Sequence, residues 1–341
     1  MAHNLLKRAM AVTTAAGVLA SACAAPTPVG PPEEVFLPPG SSFQATTDSL
    51  VAHGIVTNRR WFALVARVTG ADRKIKAGYY ELPRGQGASA ILEALASGTE
   101  KTVRFTVPEG FTLLDIAGAA EARLGLVADS IRAAAADPTL LREFGVTGPN
   151  LEGFLLPETY FVSRMITARG LVREMAGLFA RSWDPGWDAR AAAMGLDRRQ
   201  LVTLASIVEG EAKVDGDRPL VAAVYLNRIR LKMPLQADPT VQYAIQLATG
   251  ARKPRLFERD YLFPSEFNTY LHPGLPPGPV GAPSVKSIEA VLAPAAVPYL
   301  FFVADLDGKH VFSRTYGEHL RAIARIRAAE REARRAARGT S

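Results

Sequence analysis

Cysteine is almost absent from this chain: Cys23 is the only one in 341 residues. No intrachain disulfide and no cysteine-built zinc site can form. Histidine is nearly as sparse, and His3, His53, His272, His310 and His319 show no ligand spacing such as His-Glu-x-x-His. Neither a metal nor another cofactor is expected. Long apolar runs are missing too. The apolar portion near the start, Ala9 to Ala22, is rich in Ala and Thr and falls short of the roughly 20 residues that span a bilayer comfortably. No second stretch of spanning length follows. Acidic residues are outnumbered 33 to 40, which gives a net charge of +7 and a pI near 9.6 and favours anionic surroundings. Much of that excess sits in Arg321, Arg325, Arg327, Arg331, Arg334, Arg335 and Arg338, interspersed with Glu330, Glu332 and many alanines. That pattern is a solvated terminal helix, and without a nucleic-acid motif beside it nucleic acid is not an expected partner.

What is present begins with Lys7 and Arg8 ahead of the apolar portion, the pattern of an export signal whose positive flank stays in the cytoplasm. Ala20-Ser21-Ala22 fits a small-residue cleavage site, and Cys23 directly after it would suit the lipid-bearing first residue of a lipoprotein. Ala20 stands where such signals usually carry a larger aliphatic residue. A retained membrane anchor, a lipoprotein and a released protein all remain open.

The pattern divides the rest into four parts. Residues 24 to 41, rich in Pro and Gly, read as an extended linker. Residues 42 to 104 mix short helices and strands. Residues 105 to 320 are mostly helical, with helices expected near 112–124, 168–181, 187–194, 198–212, 217–231 and 316–337. A hairpin is expected around Asp307-Gly308, and 321–341 form the basic tail. The fold class is α+β: a small α/β module followed by a mostly helical domain with a small β element. An internal echo marks the module. Tyr79 to Leu92 and Arg104 to Ala117 each run strand, Pro-x-Gly, helix, with Pro83/Pro108, Gly85/Gly110 and Ile91/Ile116 in register. Pro-x-Gly is good strand-to-helix turn chemistry. It also resembles the β-turn-α element of a LysM-like unit, a fold that binds N-acetylated sugars, and the residues do not choose between these readings.

Chemistry gathers around LASIVEGEAK, Leu204 to Lys213. On a helix Glu209 and Glu211 lie about 200° apart, so they cannot act as a carboxylate dyad on one face. Both look onto apolar neighbours, and burial would raise either carboxyl toward the range a general acid needs. Periodicity does not choose between them. Three further stretches, Leu151 to Tyr160, Val224 to Ile245 and Phe267 to Ser284, are dense in Asn, Gln, Asp, Tyr and Pro where a plain core would carry aliphatics.

Together with VPEGFTLLDIA and LASIVEGEA, in the same order from about Lys76 to His319, these stretches closely resemble the endolytic murein transglycosylase, or YceG-like, family. The resemblance implies a lyase anchored in the bacterial inner membrane with its catalytic domain in the periplasm. Such an enzyme cleaves peptidoglycan strands internally, between MurNAc and GlcNAc, and leaves 1,6-anhydro ends that terminate elongation. It assigns the acid/base role to Glu209, the first Glu of the motif, with Gly210 standing where the family often carries a charge. Glu211 is expected to serve as a helix cap or structural partner. One carboxyl suffices because the muramic C6 hydroxyl attacks its own anomeric carbon, whereas ordinary glycosidases use two carboxyl groups.

Candidate substrate contacts are Glu152, Tyr160, Gln236, Asp238, Asn268, Thr269 and Tyr270. Asp238-Pro239 also suits a helix start, with Asp as N-cap and Pro in the first turn, and pairing with Arg228 is an equal alternative for Glu152. Peptidoglycan and the synthases that polymerise it are the implied partners, along with the membrane through the N-terminus. Two alternatives stand beside this reading: a hydrolase using the same site, and a non-catalytic cell-wall-binding scaffold.

Overall fold

The structure, a computed structural model, describes residues 31–98 and 101–339. The expected export segment and Cys23 lie outside the described residues. Among those described, no helix is long and apolar enough to cross a membrane. The chain divides into two compact units, one running up to Val103 and including Val162–Met165, the other comprising Arg104–Phe161 and everything from Ile166 onward.

In the first unit, β1 (Pro32–Leu37) pairs antiparallel with β2 (Gly78–Pro83), and α1 (Phe43–Ala52) and α2 (Arg59–Thr69) connect them in a β-α-α-β order, followed by α3 (Ala88–Ser97). Ser42 and Asn58 cap α1 and α2 by accepting from backbone N–H groups, and Gly98 closes α3 in the left-handed conformation. β1 corrects the linker reading over Pro32–Leu37; residues 24–30 of that stretch lie outside the described residues. Val35 and Leu37, each 1% exposed, alternate inward and join Leu50, Phe62, Tyr80 and Ile91 in the core. The prolines at 31, 32, 38 and 39 disguised a short strand that starts on Pro32 and ends just before Pro38.

In the second unit, the expected helices appear as α4 (Leu113–Leu124), α7 (Ala168–Ser182), α8 (Trp187–Ala193), α9 (Arg198–Glu211), α10 (Arg218–Arg230) and α13 (Tyr316–Gly339). α11 (Asp238–Thr249) begins at the helix start that Asp238-Pro239 offered, and three helices were not foreseen: α5 (Ala128–Ala135), α6 (Pro138–Glu143) and α12 (Val285–Leu292). The hairpin forms between β5 (Phe301–Ala304) and β6 (His310–Ser313), with Gly308 at φ 78°. β3 (Thr102–Thr106) pairs with β4 (Thr159–Ser163). Both Pro-x-Gly turns use a left-handed glycine, Gly85 at φ 76° and Gly110 at φ 74°, so the internal echo is carried by the backbone as well as the sequence.

The axis of this unit is α9. An Asp197–Gln200 capping box starts it, and every residue from Leu201 to Val208 is buried. Helices α10, α11 and α12 pack around it. The boundary drawn at 320/321 is also corrected: α13 runs through it unbroken, and Ala322 is 1% exposed because the first turns of that helix pack against β5 and β6.

Candidate active site

At the end of α9 the two glutamates diverge, as the helical period requires. Glu209 is tied down completely. Its Oε1 accepts from Arg218 Nη1 at 2.8 Å, and its Oε2 accepts from the Ser284 backbone N–H at 2.9 Å, Ser284 Oγ at 2.5 Å and Ser287 Oγ at 2.9 Å. The Glu209 and Arg218 side chains are only 5% and 7% exposed. Because Ser284 is the N-cap of α12 and Arg218 opens α10, this carboxylate knots three helices together. Its oxygens are occupied by the fold.

Glu211 faces the other way, into a cavity of about 320 Å³. Its carboxyl accepts from Tyr225 OH at 2.9 Å. Burial pushes the Glu211 carboxyl up to about 7, and the nearby Asp238 charge acts in the same direction, against the lowering effect of the Tyr225 hydrogen bond. A carboxyl titrating there is matched to proton transfer at neutral pH. Burial also pushes the Tyr225 and Tyr270 phenols well above their ordinary value, so both remain donors.

Three of the expected contact residues line the same cavity: Gln236, Asp238 and Tyr270. Tyr270 OH donates to Asp238 Oδ1 at 2.6 Å. Asp238 therefore does not cap its helix as expected; Ala237 occupies the N-cap position, with no side-chain cap, and Pro239 lies in the first turn. Gln236 adopts φ 50°, unusual for a residue with a side chain, and its N–H donates to Thr269 O.

Asn268 and Thr269 do not reach the cavity; they build its wall. Asn268 Nδ2 donates to Tyr261 O and Phe263 O, and its Oδ1 receives Tyr270 N–H, while Thr269 Oγ1 accepts from Ala237 N–H and bonds Thr240 Oγ1. Both are buried, at 0% and 1% exposed, so their polarity serves loop geometry. Glu152 and Tyr160 lie elsewhere. Glu152 accepts from Leu113 N–H and Tyr243 OH, each at 3.0 Å, and burial raises its carboxyl to about 7. It does not meet Arg228. Tyr160 OH donates to Leu156 O inside the core.

Sequence reasoning did not place four of the polar residues that line this cavity. Tyr225 and Arg228 are one turn apart on α10, within the stretch already marked as unusually polar; His310 and His319 come from β6 and α13. Only the period of α10 hinted at the first pair, and nothing local hinted at the histidines. Among the described residues, no group of three or more His, Cys, Asp or Glu side chains is placed to hold a metal.

Residues 35–325 match the model of the YceG-like family, a span that begins inside β1 and ends inside α13. The chain belongs to the YceG-like family. An endolytic murein transglycosylase of Bacillus subtilis is 32% identical over 84% of this chain and 83% of its own length. One from Streptococcus pneumoniae is 31% identical over 85% of this chain, which spans only 57% of that relative. A crystal structure of a yceG-like protein from Listeria monocytogenes superposes with a TM-score of 0.59 at 28% identity, over 85% of this chain and 98% of the other. The family match of this YceG-like chain thus extends over both of its units.

Proposed function

We propose that this chain is an endolytic peptidoglycan transglycosylase in which Glu211, rather than the expected Glu209, is the acid/base. The observation that carries the assignment is that Glu211 opens onto the cavity with its carboxyl raised to about 7, while Glu209 is consumed by a buried ion pair and three further donors. Family membership and relatives named as endolytic murein transglycosylases supply the substrate class.

In this reading protonated Glu211 gives its proton to the glycosidic oxygen between MurNAc and GlcNAc, and the bond from that oxygen to the muramoyl anomeric carbon breaks. The C6 hydroxyl of the same sugar then attacks the anomeric carbon, and its proton returns to the Glu211 carboxylate. The product is a 1,6-anhydro end, which cannot be extended and so terminates the strand. Tyr225 holds the Glu211 carboxyl in place, and the Tyr270–Asp238 pair shapes the adjoining wall. The export segment, retained or lipidated at Cys23, would keep the site at the outer face of the inner membrane, near the synthases that polymerise its substrate.

Asp238 in the same cavity favours one alternative, hydrolysis with a second carboxylate assisting at the anomeric centre. Mass spectrometry of peptidoglycan digested by the chain separates the two outcomes. Transglycosylation leaves ends lacking the elements of water, and ends carrying an added water would defeat it. Full activity in Glu211→Gln would defeat the assignment of the acid. Fractionation of cells and the mass of the mature N-terminus test the tether.

A further inference from the structure

Two residues that line the Glu211 cavity, Arg228 and His319, each carry a nitrogen with no hydrogen-bond partner among the described residues. Arg228 is 7% exposed. Its Nε donates to Leu300 O at 2.7 Å and its Nη1 to Leu235 O at 2.7 Å, to Pro234 O at 3.3 Å and to Gln236 Oε1 at 3.5 Å, but Nη2 has no partner, and no carboxylate lies within ion-pair distance of the guanidinium among the described residues. Carbonyl dipoles orient such a group without neutralising it, and a desolvated cation lacking a counter-ion is costly. The second atom is His319 Nδ1, buried and unpartnered. The His319 ring stacks on Phe301 at 5.4 Å between centroids, and the Arg228 guanidinium lies 5.2 Å from the same ring centroid. One aromatic side chain on β5 therefore braces both groups, and both line the cavity that holds Glu211.

We propose that Arg228 Nη2 and His319 Nδ1 form a carboxylate subsite beside Glu211 that recognises an anionic group carried by the muramoyl sugar. The identity of that sugar rests on the function proposed above; the subsite itself rests on the two unpartnered nitrogens. Burial, with the Arg228 charge acting in the same direction, pushes the His319 imidazole below its ordinary value, so at neutral pH it is a neutral ring able to present an N–H. A guanidinium edge and an imidazole N–H suit the two oxygens of a carboxylate. GlcNAc carries no such group. The muramoyl residue has two sources of one: its own lactyl arm, or the peptide attached to that arm. Recognition of either fixes which sugar lies over the acid, and hence which of the two alternating bonds is cut.

The test uses the full chain carrying Glu211→Gln, which binds without cleaving, titrated calorimetrically with four tetrasaccharides of alternating GlcNAc and MurNAc. One bears free lactyl carboxylates and one their methyl esters; the others bear an alanyl-isoglutamate arm with its carboxylates free or amidated. We expect the acid of at least one pair to bind about tenfold more tightly than its neutral counterpart, and the responding pair identifies the source. Adding Arg228→Gln should abolish the preference and His319→Phe, which keeps the ring on Phe301, should reduce it. Should Arg228→Gln fail to fold, as its ties to Leu235 and Leu300 allow, His319→Phe carries the test. A preference below about threefold in both pairs, or one that His319→Phe leaves unchanged, overturns the subsite. Cleavage of peptidoglycan by the unsubstituted chain is measured separately. Cleavage without acid preference refutes the subsite alone, and acid preference without cleavage refutes the proposed reaction alone.

Discussion

Glu209 and Glu211 stand two positions apart, yet their substitutions should fail in different ways. Glu211→Gln keeps the shape and an acceptor for Tyr225 OH but cannot donate a carboxyl proton. It should leave a folded protein with activity on peptidoglycan reduced on the order of a hundredfold or more. Glu209→Gln should be the structural lesion. It removes the one buried carboxylate partner of Arg218, whose remaining carboxylates, Asp215 at 3.2 Å and Glu109 at 3.7 Å, are themselves largely exposed, for a loss of about 2 kcal/mol in urea unfolding. Equal stability of Glu209→Gln and the unsubstituted chain would contradict the knot at α12. The activity of the unsubstituted chain should also fall as pH rises through about 7, because the proton held by Glu211 is then lost. A pH–rate profile that is flat across that region would remove Glu211 from the role.

At the scale of elements, the glycine between the two glutamates has a packing role. A Cβ on Gly210 would come within 2.7 Å of Pro239 Cγ and 2.8 Å of Pro239 Cβ, so the start of α11 rests directly on α9. That contact sets the position of Asp238 and, through the turn before it, Gln236, both of which line the cavity. Gly210→Ala should gain up to about 1 kcal/mol of helix propensity and lose at least that much in displaced packing. The expected outcome is an unchanged or slightly lower melting temperature with a clear rise in KM, measured on soluble glycan strands. The sequence showed Gly210 as a departure from a commonly charged position. Why a side chain is excluded there became visible only with Pro239 beside it.

For the whole molecule, two buried carboxyls give stability a definite dependence on pH. Glu152 and Glu211 are raised from 4.5 to about 7 by burial. Between those values the folded chain keeps protons that the unfolded chain has released, so stability is fully present below the lower value and declines as pH rises toward the upper one. Each group contributes on the order of 3 kcal/mol at most to that decline. Urea midpoints measured from pH 5 to pH 7.5 should therefore fall. Glu152→Gln, which keeps an acceptor for Leu113 N–H, should flatten part of the slope. A profile unaffected by that substitution would mean the carboxyl is already ionised in the folded state.

Much of the architecture was legible in the sequence because helical period, caps and Pro-x-Gly turns are local signals. α4, α7, α9 and α10 fell within a residue or two of their expected bounds, and the β5–β6 hairpin followed from Asp307-Gly308. β1 escaped because its flanking prolines outweighed an alternation only a few residues long. The sequence also determined the family, through motifs in a fixed order, and it determined that Glu209 and Glu211 must face opposite ways. It could not determine which face was the cavity. That depended on Arg218, Ser284 and Ser287 converging on one carboxyl, and on Tyr225, Asp238 and Tyr270 gathering near the other. Burial and charge at a carboxyl are summed over neighbours distant along the chain, so only the tertiary structure could decide which glutamate is held at about 7 beside an open cavity.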